Sequence, residues 1–142
     1  MPFDIETAKT FFFDRAAVQD AVDRGTKRAL SKFGAFVRQR ARTSIRKRKA
    51  TSKPGSPPSS HEGSLRKLIL FAYDPAQKSV VIGPTLYKRG EAPALLEYGG
   101  VVSRKGGDGR TRQLYYRPRP YMNPAFKAEL PKAALMFASM IR

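Results

Sequence analysis

The feature that most constrains the fold is a stripe of small and apolar residues within residues 16–45. These residues recur every three or four positions: Val18, Val22, Gly25, Ala29, Phe33, Phe36 or Val37, Ala41 and Ile45. The spacing places them on one face of an α-helix. Gly25 and Gly34 each cost about 1 kcal/mol relative to alanine. The pattern therefore predicts either one long helix or two shorter helices joined at a kink.

The second half of the chain predicts two hairpins and a short helix. Residues 65–73 and 79–83 are rich in β-forming side chains and flank a turn that contains Pro75, which is typical of a hairpin. Residues 101–116 surround a glycine-rich basic turn and predict a second hairpin. Residues 92–98 have a proline in the first turn and glycines after the end, which predicts a short helix.

A last helix is predicted from Asn123, which offers an N-cap side chain and precedes Pro124. Pro131 should kink or restart this helix. The elements together predict an α+β fold: a small, mainly antiparallel sheet packed by a long N-terminal helix and a C-terminal helix. We expect residues 1–142 to form one domain, with residues 1–15 as an N-terminal arm.

Residues 46–63 interrupt these patterns. The segment contains three prolines, two glycines and five serine or threonine residues, so it has little apolar surface to bury. We predict a mobile loop whose first part is strongly basic. A loop of this length in a small domain is usually functional or orders on binding.

The charge of the chain is far from balanced. There are 28 Lys and Arg residues against 11 Asp and Glu residues, a formal net charge of +17. Such an excess repels itself in the compact state, which favours a polyanion or an acidic protein as partner. The basic residues do not accompany a strongly apolar helical face, so we expect no membrane partner.

Two basic clusters are the candidate binding residues. The first, assigned to DNA or partner binding, is Arg42, Arg46, Lys47, Arg48, Lys49 and Lys53. The second lies in the predicted second hairpin and is Arg104, Lys105, Arg110 and Arg112. Tyr115, Tyr116 and Tyr121 are candidates for stacking on bases, although packing against neighbouring side chains is the more common role. No sequence-reading motif accompanies the charge, so any contact with nucleic acid is expected to be non-specific.

The residues offer little for catalysis. The chain has no cysteine, and its one histidine, His61, lies in the predicted loop, where no neighbour would fix its tautomer. The carboxylates are scattered and show no metal-binding spacing. We therefore expect no enzyme, no metal and no cofactor. The N-terminal residues lack the pattern of a secretory signal, and no run is apolar enough to span a membrane.

Five short motifs, in this order, resemble the tail-completion (head–tail joining) proteins of long-tailed bacteriophages. The motifs are PGSPP at 54–58, GSLRKLI at 63–69, VVIGP at 80–84, LLEYGG at 95–100 and RPRPYMNPAF at 117–126. That family shows a PG-x-PP loop, a TG-x-LR-x-SI strand, a VGP strand end, an LEFG-like turn and an RPF-x-x-PAL entry to the last helix. We assign an architectural role to the motif residues Gly63, Leu65, Gly83, Pro84, Glu97, Gly99, Arg117, Pro118, Pro120 and Pro124.

The resemblance implies a structural virion protein made in the host cytoplasm. It would form a homo-oligomeric ring, sixfold by expectation, in the neck of the particle. Its partners would be the connector or stopper proteins of the head and the tail tube or terminator proteins. Double-stranded DNA would pass through the lumen without sequence-specific contact.

Three alternatives stay open at this point. The chain could be a tail-terminator ring subunit of the same neck. It could instead be a free, non-specific DNA- or RNA-binding protein, which the +17 charge alone would suit. A basic nuclease is the third alternative, which metal-dependent nicking of a plasmid would reveal.

Overall fold

The computed structural model describes residues 15–85 and 92–140. It is an α+β fold with a long N-terminal helix, small antiparallel hairpins and a C-terminal helix, which confirms the predicted fold class. The predicted arm, residues 1–15, lies outside the described residues except for Arg15. Among the described residues, no helix is both long and apolar enough to span a membrane.

The first helix, α1, is continuous over Arg15–Ser44. Its buried residues are Gly25, Ala29, Phe33, Gly34, Val37 and Ala41, so the apolar stripe is the core-facing side. The helix runs through both glycines without a break, and each lies where a neighbour comes close. A Cβ on Gly34 would be 2.8 Å from Val80 Cγ2 and 2.9 Å from Phe71 Cδ2, and one on Gly25 would be 3.2 Å from the Met140 carbonyl oxygen.

Short elements connect α1 to the first hairpin. Strand β1 (Arg46–Lys47) pairs in parallel with β2 (Ser59–Ser60), with Arg46 opposite Ser59. Helix α2 (Ser64–Leu68) follows. Strands β3 (Ile69–Asp74) and β4 (Ser79–Pro84) then form an antiparallel hairpin.

The rest of the chain adds a second hairpin and the last helices. Helix α3 (Ala92–Tyr98) leads into strands β5 (Gly100–Lys105) and β6 (Thr111–Tyr116), which pair antiparallel. Helix α4 (Met122–Glu129), a 3₁₀ turn (Leu130–Lys132) and helix α5 (Ala133–Met140) complete the described chain. The 3₁₀ turn contains Pro131, so the helix restarts at the proline as predicted.

The core lies where α1 meets β3, β4, α4 and α5. Its buried side chains are Phe33, Val37, Ala41, Ile45, Ile69, Tyr121, Ala125 and Met136. The Phe33 and Phe126 rings meet edge to face, with centroids 5.7 Å apart, a favourable aromatic geometry. Helix α1 and Ile45 directly after it thus supply half of the core, and the later elements pack around them.

Two local predictions are corrected. Residues 65–68 are helical rather than the start of a strand, because Gly63 adopts a left-handed conformation (φ 77°) and α2 begins directly after it. The predicted single sheet is instead a set of separate two-stranded ladders among the described residues, one parallel and two antiparallel. Pairing between hairpins is a long-range property that the turn signals do not encode.

Replacing Gly34 with alanine should lower the free energy of unfolding. The new methyl group would overlap Val80 and the Phe71 ring, and such overpacking costs about 1–3 kcal/mol against a gain in helix propensity of about 1 kcal/mol. Urea unfolding of Gly34→Ala measures the balance. Gln39→Ala, on the exposed side of α1, is the control and should stay within about 0.5 kcal/mol of the wild type. A Gly34→Ala protein more stable than the wild type would contradict the close packing.

Candidate functional site

The Glu97 carboxylate holds the beginning of α4. Its Oε2 accepts hydrogen bonds from the backbone N–H groups of Tyr121 (2.9 Å) and Met122 (3.0 Å), and its Oε1 accepts one from Asn123 (2.8 Å). Glu97 is buried, with 8% of its surface exposed. The first N–H groups of a helix have no partner inside the helix and attract negative charge. A carboxylate from α3 therefore caps a helix whose N-cap residue lies 24 residues later in the chain.

This cap corrects the predicted role of Asn123. The N-cap residue is Tyr121, its side chain makes no capping hydrogen bond, and α4 begins at Met122, which puts Pro124 at the third helical position rather than the first. Tyr121 is 1% exposed and belongs to the core, so it is not available for base stacking. Burial, together with the nearby Glu97 carboxylate, raises the pKa of Tyr121 to about 12.

The chain after Glu97 turns sharply against residues 116–119. Gly99 has φ 72°, and its N–H donates to the Leu95 carbonyl at 2.8 Å. A Cβ on Gly99 would lie 2.8 Å from the Tyr116 carbonyl oxygen and 3.0 Å from Pro118 Cδ. Only glycine combines this left-handed conformation with so close an approach.

The PGSPP motif joins the same place. The Gly55 N–H donates to the Pro118 carbonyl at 2.9 Å, Arg119 Nε donates to the Ser52 carbonyl at 3.0 Å, and the Arg119 N–H donates to the Leu96 carbonyl at 2.6 Å. Segments 52–55, 95–100 and 117–123 therefore form one hydrogen-bonded unit, which we call the motif junction. It brings together three of the five motifs found in the sequence.

The other two motifs pair with each other. Ile69, which ends GSLRKLI, stands opposite Pro84, which ends VVIGP, and the Thr85 N–H donates to the Leu68 carbonyl at 2.9 Å. Leu65 is half-buried against the core, and Gly83 lies next to Pro84 in β4. Because Ile69 and Tyr121 share the core, the two groups of motifs surround one apolar centre.

The remaining architectural residues, Arg117 and Pro120, lie in the segment that leads from β6 to α4. Arg117 is exposed and Pro120 is half-buried. The Arg117 carbonyl accepts a long hydrogen bond from Arg119 Nη1 at 3.5 Å. Both residues favour an extended backbone in this segment. Arg117 does so because it precedes Pro118, and Pro120 does so because its own ring fixes φ.

The first basic cluster is mostly exposed. Arg42 is half-buried, and the others, Arg46, Lys47, Arg48, Lys49 and Lys53, are exposed. Arg48 Nε donates to Ser59 Oγ at 2.9 Å. Arg46 and Arg48 also line a depression of about 360 Å³ together with Thr43, Ser44, Ser56, Pro57 and Pro58. Residues 46–63 are thus held by the β1–β2 bridge and by the hydrogen bonds that join Ser52 and Gly55 to residues 118 and 119; their mobility stays a prediction.

The second basic cluster lies on a projecting hairpin. In β5 and β6 only Val102 is half-buried, and every other residue is exposed. Arg104 and Lys105 end β5, Arg110 lies in the turn and Arg112 in β6. Tyr115 is 76% exposed on the same ribbon. The strand register sets Arg104 opposite Arg112, so cations that are eight positions apart in the chain become neighbours across the ladder.

Two arginines of α1 that precede the first basic cluster bind other parts of the fold. Arg38 Nε donates to the Ile69 carbonyl at 2.9 Å, and Arg40 forms an ion pair with buried Glu129, which also pairs with Lys132 Nζ at 3.1 Å. The Arg40 hydrogen bond, assisted by Lys132, lowers the pKa of Glu129 below its ordinary value. No local pattern indicates this pairing, since Arg40 and Glu129 are 89 residues apart.

The described residues contain no group of three or more His, Cys, Asp or Glu side chains suited to a metal ion. His61 is exposed and lines a depression with Ser59, Ser60 and Ser64. No protein-family model, curated protein or solved structure matches the chain.

Replacing Glu97 with glutamine should destabilise the protein. The amide keeps one acceptor but turns an NH₂ group toward backbone donors, and hydrogen bonds to a charged group contribute about 1.5–3 kcal/mol. We expect a loss of about 2–3 kcal/mol in urea unfolding. Glu62→Gln, an exposed loop carboxylate, is the matched control. Equal effects of the two substitutions would contradict the capping role.

Acid should weaken the protein through Glu129. Its folded-state pKa lies below the ordinary 4.5, so its contribution to stability is present above that pH and is lost as the pH falls through the folded-state value. In Glu129→Gln the free energy of unfolding should depend less steeply on pH in this window. Urea unfolding at a series of acidic pH values measures the slope, and an unchanged slope would contradict the assignment.

Proposed function

We propose that the chain is a structural subunit of a tailed-bacteriophage particle that forms a ring at the head–tail junction. The observation that carries the proposal is the motif junction. The motifs that resemble tail-completion proteins are scattered over residues 54–126, yet three of them are hydrogen-bonded to one another and the other two pair in one hairpin. Motifs that meet in this way behave as parts of one architecture.

The surface of the chain also suits assembly. Large apolar side chains are exposed on separate elements, among them Val22 on α1, Tyr98 on α3, Tyr115 on β6 and Leu135 on α5. In an assembly, neighbouring subunits would cover these residues on more than one side of the chain. A subunit within a closed ring has a neighbour on each side, because a heterologous interface that closes generates a ring.

The charge is consistent with a DNA channel. A net charge of +17 on each subunit would oppose ring formation unless anions lie near it. DNA in the lumen, or acidic neighbouring proteins of the neck, would supply them. On this proposal the chain has no enzymatic role, its sites are protein and DNA contacts, and it resides in the virion after assembly in the host cytoplasm.

A second candidate is a free, non-specific nucleic-acid-binding protein. The observation in its favour is the exposure of the basic residues 46–49 and of the second hairpin. It differs from the ring proposal in that function would need neither self-association nor a phage particle.

An early stop codon in the gene of a phage that encodes the chain should stop particle assembly at joining. Electron microscopy of the lysate should show filled heads and free tails of normal length, because both parts assemble without the joining ring. Supply of the wild-type gene in trans should restore joined particles.

Other outcomes would point elsewhere. Tails of abnormal length would identify a terminator ring, since that subunit stops tail growth. Intact, infectious particles would contradict the structural role and favour the free nucleic-acid-binding protein.

A further inference from the structure

The second hairpin has a local charge arrangement that the fold does not balance. Arg104 and Arg112 stand directly opposite each other on one face of the ribbon. Like charges in this position destabilise a ladder, since the Cβ atoms of such a pair are only about 4.5–5.5 Å apart. Arg112 Nη2 donates to Asp108 Oδ2 at 2.7 Å, but Arg104 has no carboxylate partner among the described residues. An anion held between the two guanidinium groups would offset the repulsion.

The tip of the hairpin is ordered rather than loose. The Gly106 N–H donates to the Arg110 carbonyl at 2.8 Å, and the Gly109 N–H donates to the Gly106 carbonyl at 3.0 Å. Asp108 Oδ1 accepts from the Arg110 N–H at 3.1 Å. The backbone of the tip is therefore fixed, and the Arg112 side chain is held by Asp108, so little backbone order has to be gained on binding.

Gly107 at the tip is not required by the fold. A Cβ on Gly107 would have nothing within 4 Å, and its φ lies outside the left-handed region. Gly109, in contrast, has φ 77° and is needed for the turn. Neither the backbone conformation nor packing within the chain requires glycine at this position. The missing side chain leaves room for a partner to approach the backbone closely.

The shape of the hairpin limits the partner. Two strands of six residues make a ribbon roughly 20 Å long, and almost all of it is exposed. The major groove of duplex DNA, about 12 Å wide, admits a two-stranded ribbon. Phosphates line both edges of that groove at short, regular spacing, which suits cations that point from both strands of one ribbon.

We propose that the β5–β6 hairpin enters the major groove of duplex DNA, with Arg104 and Arg112 together binding backbone phosphate and Gly107 allowing the tip to lie close to the duplex. This inference deepens the proposed function, on which its biological setting rests. It also assigns DNA contact to the hairpin in particular, rather than to the whole basic surface.

The test uses the purified full chain and a mixed-sequence DNA duplex, with affinity measured by fluorescence anisotropy over a series of salt concentrations. Arg104→Gln/Arg112→Gln should bind about tenfold more weakly, and its log–log salt slope should be less steep by about one, because the variant no longer neutralises the phosphate that the two arginines share. Arg24→Gln/Arg28→Gln removes the same charge from exposed positions on α1 and should bind like the wild type. Arg104→Lys/Arg112→Lys should retain the slope, because the charges remain.

A further variant changes shape without charge. Gly107→Leu should fold normally, since a Cβ at this exposed position would have nothing within 4 Å, and should bind the duplex several-fold more weakly because the tip is blocked from the groove. Unfolding midpoints for all variants verify that the fold is intact.

Several results would overturn the proposal. Equal losses of affinity in the hairpin variant and the α1 variant would mean that net charge alone binds DNA. Tighter binding of single-stranded DNA than of duplex would exclude the groove. Hairpin-dependent binding of poly-L-glutamate without duplex binding would indicate an acidic protein as partner. None of these results bears on whether particles assemble, so they are distinguishable from a failure of the proposed function in the stop-codon experiment.

Discussion

The interaction on which the arrangement of the motifs depends is that of the Glu97 carboxylate with the N-terminus of α4. It satisfies three backbone donors at once, and its charge is favourable at the positive end of a helix. Since α4 packs on α1, a fixed start for α4 also fixes how Tyr121 and Ala125 enter the core. The same interaction holds α3 next to residues 121–123. The preceding 117–120 segment is hydrogen-bonded to Leu96 of α3, to the PGSPP loop and to Ser52.

The sequence predicts the elements whose cause is local. The helical stripe of α1, the proline turn between β3 and β4, the glycine-rich turn of the second hairpin and the restart at Pro131 all follow from neighbouring residues. The predictions are wrong or incomplete where a residue far away in the chain determines the local structure. Asn123 has a good capping side chain, but α4 already begins at Met122, where Glu97 accepts from the N–H groups of Tyr121, Met122 and Asn123. The ion pair of Arg40 with buried Glu129 is not predicted either, because the two residues are 89 positions apart.

The same distinction applies to the candidate site. Both basic clusters are visible in the sequence, because runs of Lys and Arg need no structure to be seen. That Arg104 and Arg112 stand opposite each other is not visible there, since the strand register depends on the turn. Nor is it visible that three motifs share one junction. The sequence therefore shows where the basic residues are, and only the structure shows which of them form hydrogen bonds or ion pairs within the fold.

The chain has two kinds of basic side chain: those that bind acceptors within the fold and those that are exposed on the β5–β6 hairpin. Arg40 donates from Nε to the carboxylate of Glu129, whose charge offsets its own, and Arg38 donates from Nε to the Ile69 carbonyl, which holds that guanidinium against the fold. Arg104 faces Arg112 on an exposed ribbon, where an anion from outside would offset the repulsion. The net charge of +17 is therefore not distributed evenly over the surface. The fold places part of it on the exposed β5–β6 hairpin, while α1 packs against α4 and α5 in the core.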